Sequence, residues 1–163
     1  MSSVLIAYYS RTGHTKAMAE TIARGAQEEG AKVDLKPITE VKAETLVNYD
    51  AVILGSPDYY GTMAAEVKKL IDDSIILHGQ LDGKIGGAFS SAANIGGGNE
   101  TTILSILQGL LVHGMIIPGV VKGDHYGPVA INTPDERATR QSLNYGKLIA
   151  RLSEKLKYTK KKK

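Results

Sequence analysis

The chain contains no cysteine, so disulfides, thiolate-bound metals and iron–sulfur clusters are excluded. Long hydrophobic runs are also missing. The apolar stretch at residues 4–9 is too short for the hydrophobic region of a signal peptide, and no basic residue precedes it. Nothing in the sequence approaches a membrane span, and a cytoplasmic location is the expectation. Several catalytic signatures are absent too. There is no H-E-x-x-H, no G-x-x-x-x-G-K-[ST], no G-x-G-x-x-G and no G-x-S-x-G elbow before a helix. The histidines, His14, His78, His113 and His125, lie scattered without metal-ligand spacing.

Charge is scarcer than the pI of about 9.0 suggests. Residues 160–163 supply four of the 20 Lys and Arg; without them 16 basic residues face 17 acidic ones, a net of −1. The basicity belongs to the terminal Lys run, which is expected to be solvated, with weak polyanion binding by counterion release as the alternative. The body offers no basic patch that would call for a nucleic-acid partner.

What is present is the material of one soluble domain. The sequence has 163 residues, 42% hydrophobic and 23% charged, with no repeat and no interior linker. Apolar β-branched runs at 4–8 (VLIAY), 31–35, 51–54 (AVIL), 84–90 (KIGGAFS) and 115–118 (MIIP) predict five strands. Helical periodicities separate them. Met18, Ile22 and Ala26 lead to a C-cap at Gly30; Val67, Leu70, Ile71 and Ile75 mark a second helix; Ile103, Leu107, Leu110 and Leu111 mark a third; and a last helix starts near Pro134 and runs through Leu156. The paired glycines Gly86 and Gly87 predict a helix packed close to the fourth strand. Alternating strands and helices imply an α/β fold: a five-stranded parallel sheet in the order 2-1-3-4-5, with helices on both faces. Ligands of such sheets collect beyond the carboxyl ends of the strands.

Three loops at that edge are unusual. After the first strand come Ser10, Arg11, Thr12, Gly13, His14 and Thr15, opening directly into a helix. Unpaired N–H groups and the positive end of the helix dipole attract phosphate there, and the hydroxyls add donors. The plain alternative is that Thr12 or Thr15 caps the helix. After the third strand, Pro57, Asp58, Tyr59, Tyr60 and Gly61 place two aromatic rings where a flat ligand can pack, or where tyrosines merely cover the core edge. After the fourth, Ser91, Ala92, Ala93, Asn94, Ile95, Gly96 and Gly97 form a stretch nearly free of bulky side chains. It presents bare backbone to an acceptor-rich ligand or acts as a flexible linker. The segment from Gly123 to Pro128 is expected to follow the fifth strand and to reach the same rim. Phosphate, aromatic packing and bare backbone together fit a phosphorylated, flat heteroaromatic cofactor, and flavin mononucleotide (FMN) satisfies all three.

The S-x-T-G-x-T loop at Ser10, Thr12, Gly13 and Thr15 resembles that of flavodoxins. Together with GSPDYYGTM, FSSAANIGGGNET and HGMIIPG, the chain from residue 4 to about 156 resembles more particularly the WrbA-type NAD(P)H:quinone oxidoreductases. The resemblance implies a flavodoxin-like three-layer domain over residues 1–157, and the terminal Lys run marks 158–163 as a disordered basic tail. It also implies non-covalent FMN, two-electron reduction of a quinone by NADH or NADPH, and a homo-oligomer, dimer or tetramer. Carried over, residues 10–15 hold the FMN phosphate, 57–61 line the ring, and 91–97 contact its polar edge. His113 matches the second of two adjacent histidines in that family and is the candidate catalytic group, with Tyr126 as another donor and a helix-capping role as the alternative. Val112 stands where the family has its first histidine, the segment between strands 2 and 3 is short, the loop before the triple glycine is a residue longer, and there is no tryptophan. Two other readings of the same fold are a one-electron carrier, which the weakly charged body disfavours, and a non-enzymatic interaction protein using the tail.

Overall fold

The computed structural model describes residues 1–160, the last three by backbone alone. Among the described residues five parallel strands, β1 (Ser3–Tyr8), β2 (Lys32–Pro37), β3 (Ala51–Pro57), β4 (Ile85–Ala92) and β5 (Val129–Ile131), form one sheet in the order β2-β1-β3-β4-β5. The helices α1 (His14–Glu28) and α4 (Glu136–Lys160) cover one face, and α2 (Ala65–Asp73) and α3 (Asn99–Val112) the other. Because side chains alternate along a strand, β1 serves both layers. Val4, Ile6 and Tyr8 pack with Met18, Ile22 and Ile149, while Leu5 and Ala7 pack with Val67, Leu70 and Ile103. A strand buried on both faces reads as a continuous apolar run, which is why 4–8 and 51–54 were legible.

Glycine sets how closely the layers approach. A Cβ on Gly86 would lie 2.7 Å from Ile117 Cδ1 and 3.2 Å from Leu110 Cδ1 of α3, and one on Gly87 would lie 2.7 Å from the Tyr145 hydroxyl of α4. The expected close helix is therefore present on both faces. Burial pushes the Tyr145 hydroxyl up to about 12, partly offset by the Ala88 N–H it accepts at 3.2 Å. Between α1 and α4 the contact is backbone on backbone: a Cβ on Gly25 would run into the Leu143 carbonyl, and one on Gly146 into the Ile22 carbonyl. Helix α1 ends as predicted at Gly30 (φ 80°), with Gly30 N–H donating to Gln27 and Ala31 N–H to Ala26, a Schellman closure.

The fifth strand is the main correction. Residues 115–118 make only one parallel bridge, Ile116 to Ile85, because Pro118 has no N–H with which to continue the ladder. The chain leaves the sheet and returns at β5, beside the other end of β4. The segment from Gly123 to Pro128 therefore precedes the strand instead of following it, and none of its residues lines the cleft described below. Asp124 Oδ2 accepts from Val129 N–H at 2.9 Å, its Oδ1 pairs with Arg137 at 2.6 Å, and His125 Nδ1 meets the Val120 carbonyl at 2.8 Å. Smaller differences follow from local geometry. Helix α2 gives way to a 3₁₀ turn at Ser74–Leu77, which rotates Ile75 into solvent and Leu77 into the core. Leu111 is more than half exposed. Helix α4 starts beyond Pro134, with Asp135 Oδ1 accepting the Ala138 N–H at 2.7 Å as its cap. It runs through Lys160, past the expected boundary at 157, and residues 161–163 of the expected tail lie outside the described residues.

Candidate functional site

A cleft of about 470 Å³ opens beyond the carboxyl ends of β1, β3 and β4, within the size of ordinary small-molecule sites. Its first wall is the entry to α1, where Arg11, Thr12, His14 and Thr15 line it. Gly13 is the N-cap residue, at φ 94°, with no capping side chain of its own. The capping hydroxyl is neither Thr12 nor Thr15. Ser10 Oγ accepts from Gly13 N–H at 3.1 Å and Lys16 N–H at 3.3 Å, which leaves its own O–H to donate. The N–H groups of His14 and Thr15 have no acceptor among the described residues, as expected of a first turn. Buried Thr15 spends its hydroxyl on Ser91 Oγ at 2.8 Å, tying the first wall to the third. His14 Nδ1 lies 3.4 Å from Thr133 Oγ1, and Arg11 is exposed at the mouth.

The second wall comprises Pro57, Asp58 and Tyr59. Tyr59 and Thr62 exchange backbone hydrogen bonds at 3.0 and 3.2 Å, and the two residues between them, Tyr60 (φ 52°) and Gly61 (φ 80°), form a tight turn with left-handed backbone. That turn throws Tyr60 fully into solvent, away from the cleft, while the Tyr59 ring packs edge-on against Tyr9 at 6.2 Å. The Glu66 carboxylate, above all, raises the Tyr9 hydroxyl. Asp58 lines the cleft, but its carboxylate is already engaged: Oδ1 accepts from Gly61 N–H at 2.9 Å and Thr102 Oγ1 at 3.1 Å.

Ser91, Ala92 and Ala93 make the third wall. Beyond the Ala93–Asn94 peptide that ends this wall, the side chains of Asn94 and Ile95 and the glycines Gly96 and Gly97 rise into solvent, with Ile95 91% exposed, and none of these four residues is among the cleft's lining. Of the three glycines, Gly98 answers to loop packing, while Gly96 faces open space. A Cβ on Gly98 (φ 121°) would lie 2.9 Å from both Asp58 Oδ1 and Gly61 Cα, where the second and third walls meet. Sequence reading missed Asn132, which completes the cleft with left-handed backbone (φ 53°) just after β5. Its signal, an Asn closing the apolar triplet VAI, becomes visible only once that triplet is taken as a strand.

His113 is not brought to this cleft. It caps the far end of α3, whose 14 residues span about 21 Å from the cleft edge at 1.5 Å per residue. There its Nε2 lies 2.7 Å from Ser74 Oγ, and its buried Nδ1 is unpartnered among the described residues. Since Ser74 Oγ donates to the Ile71 carbonyl at 2.6 Å, His113 donates from Nε2, the neutral tautomer with a bare Nδ1. Burial, helped by nearby His78, lowers its pKa. Tyr126 stands on the 123–128 segment, likewise outside the cleft.

A family model described as a flavodoxin domain matches residues 5–93. A protein called NAD(P)H dehydrogenase (quinone) from Bradyrhizobium sp. is 34% identical over 197 aligned positions, covering 96% of this chain and 99% of the relative. One of the same name from Rhodopseudomonas palustris is 39% identical over 76% of this chain and 73% of its own. Of the solved structures, a flavodoxin from the domain Archaea superposes with a TM-score of 0.79 at 25% identity, covering 93% of this chain and 99% of that one. A WrbA-like flavodoxin from Agrobacterium tumefaciens superposes with the same score of 0.79 at 24% identity, covering 95% and 99%. The chain belongs to the flavodoxin-domain family. Within it, the chain's relatives by sequence include proteins called NAD(P)H dehydrogenase (quinone) from bacteria and from the archaeon Archaeoglobus fulgidus, the last 32% identical over 96% of this chain.

Proposed function

We propose that this protein is an FMN-dependent NAD(P)H:quinone oxidoreductase, whose overall reaction consumes NAD(P)H, a proton and a quinone and yields NAD(P)⁺ and the hydroquinone. The observation that carries this reading is the polarity of the cleft. One end is the unpaired N-terminus of α1; the other lies between Pro57 and Tyr59 on one side and the Ser91–Ala93 backbone on the other. A phosphate and a flat ring thus find their partners at opposite ends of one space. The residues fit the flavin: Ser10 O–H, the N–H groups of His14 and Thr15, and the Arg11 guanidinium all offer hydrogen or charge to a dianion, while Asp58, the one carboxylate among the lining residues, sits on the second wall with its Oδ1 held by Gly61 N–H and Thr102 Oγ1.

When bound, the flavin supplies the hydride chemistry. The chain's own work is to bind, orient and polarise. Pro57 and Tyr59 hold the ring's face, and the backbone of the third wall offers N–H groups to the edge where negative charge gathers on reduction. Exposed Arg11 draws the phosphates of the nicotinamide nucleotide to the mouth. His113 has no part in the cleft of its own chain and serves as a helix-end contact.

Both substrates are small molecules, and we take the protein as a cytoplasmic enzyme without a nucleic-acid partner or membrane insertion; no described helix is long and apolar enough to cross a membrane. Exposed Ile75, Ile76, Leu111 and Val112 lie at the far end of α3 and on the turn before β4, and this apolar surface supports a homo-oligomer, dimer or tetramer, to be read by sedimentation.

Titrating the purified protein with FMN, then anaerobically with NADH or NADPH, then with a quinone, tests the assignment. A one-to-one yellow complex should form, bleach with the nucleotide and regain its colour with the quinone. Failure to take up flavin would overturn it.

A further inference from the structure

The end of β4 departs from strand geometry in a way that assigns work to Asn132. In a parallel strand successive carbonyls alternate between the two neighbours. Ser91 obeys: its carbonyl accepts the Asp58 N–H at 2.7 Å, on the β3 side. Ala92 also obeys, accepting the Asn132 N–H at 2.8 Å on the β5 side. Ala93 should then turn back toward β3, but its carbonyl accepts from Asn132 Nδ2 at 3.2 Å. One residue thus holds two consecutive carbonyls, one with its backbone and one with its side chain. Its left-handed backbone, at φ 53°, is a conformation Asn adopts more readily than most side chains.

The consequence follows from peptide geometry. All described peptide bonds are trans, so each N–H points opposite to the carbonyl in its own plane. The N–H groups of Ala93 and Asn94 therefore both point away from Asn132, and neither has an acceptor among the described residues. Adjacent N–H groups facing one way form a small anion-binding concavity.

Resting on the flavin reading above, we infer that Asn132 is a positioning residue: it fixes the Ala93–Asn94 peptide so that paired N–H donors face the flavin's polar edge, and it thereby favours the reduced flavin. The side chain touches the peptide, and the peptide touches the ligand. Without the amide, the 93–94 plane is free to rotate toward regular strand geometry, which presents a carbonyl to the same edge.

Asn132→Gly keeps the left-handed backbone and the N–H to Ala92 but removes Nδ2; Asn132→Asp keeps the shape and replaces the donor with a charge that repels the Ala93 carbonyl. In the flavin-free protein, ¹⁵N relaxation should show the Ala93 and Asn94 amides sharp in the parent and exchange-broadened in both variants, with Tm little changed for Asn132→Gly. In the loaded protein, dye-equilibrated reduction should show the reduced flavin losing about tenfold more affinity than the oxidised one, a fall of about 30 mV in the two-electron midpoint. Unchanged amide relaxation overturns the inference whether or not flavin binds, and so does an unchanged midpoint in a parent that binds flavin. A parent that takes up no flavin overturns the functional reading alone, and the relaxation arm still decides the role of Asn132.

Discussion

The two ends of the sheet treat polar groups in opposite ways. At the amino edge the cluster around Asp50 is paired off. Asp50 Oδ2 accepts from Ser3 N–H at 2.8 Å, Ser3 Oγ at 3.0 Å and Lys157 Nζ at 2.8 Å, while Lys157 also reaches the Met1 carbonyl at 3.2 Å. At the carboxyl edge donors are left over: the first turn of α1 and the 93–94 peptides present N–H groups with no acceptor among the described residues. Polar groups spent on one another hold a fold together; polar groups kept unspent at a concave edge are available to a ligand. The same residue types serve both ends, and only their partners differ.

Breaking the amino-edge lock should have the largest effect on stability and none on the cleft. Asp50→Asn is expected to cost about 2 kcal/mol in denaturant melts, the scale of hydrogen bonds to a charged group, with flavin affinity unchanged. Burial alone would raise the Asp50 carboxyl, but Lys157 and Ser3 outweigh it and the net shift is downward. Its contribution is therefore fully present above the ordinary carboxylate range and is lost as pH falls through the lowered folded value. Acid melts of the parent and of Asp50→Asn should converge below that range.

The matching change at the carboxyl edge is Ser10→Ala. It removes the acceptor for the Gly13 and Lys16 N–H groups and a donor to phosphate, so FMN affinity should fall about tenfold, close to 1.4 kcal/mol. Apoprotein stability should fall by about 1 kcal/mol, the usual worth of a cap. Equal FMN affinity in the parent and Ser10→Ala would erase the contrast between the two edges.

His113 sharpens it further, since it lies at the far end and is itself a titratable group whose pKa burial lowers. Its pKa is lowered by burial, so the unfolded chain binds the proton more tightly. Stability is then complete above about 6.5, the ordinary histidine value, and falls as pH drops toward the lowered value. Urea midpoints across that window should slope in the parent and flatten in His113→Asn, while quinone reductase activity per bound flavin is retained. The smallest expected effect is a gain. Tyr60 carries the left-handed turn at φ 52° without burying its ring, so Tyr60→Asn should stabilise the protein by about 0.5–1 kcal/mol, read as a rise in Tm.

Most of the architecture was legible because it rests on local periodicity. Doubly buried strands such as Val4 to Tyr8 read as unbroken apolar runs, and the Gly30 terminus carries its own stop signal. The strand after Pro128 was not legible. VAI is only three residues long and is set by its register with Ser90–Ala92, whereas MIIP has the composition of a strand but lacks the donor to extend one. The site divides along the same line. The entry to α1 follows from adjacent residues and was read correctly as an unpaired helix start, although the capping role fell to Ser10 rather than to a threonine. Asn132, the Thr15–Ser91 contact and the engagement of Asp58 by Thr102 join residues far apart in sequence, and no window along the chain displays them. His113 was misplaced for a related reason: its motif is recognisable, but the length of α3 carries it to the opposite edge.

The glycine contacts between α1 and α4 bear on how a dianion is received. Two helices that meet through bare backbone at Gly25 and Gly146 have no side chain holding them apart at those two points, so α1 is held like a bolt in its socket. An incoming double negative charge pulls on the tip of that bolt, and any recoil would blunt the attraction. With recoil denied, the field at the phosphate position exists before the ligand arrives, and little reorganisation is left for the moment of binding.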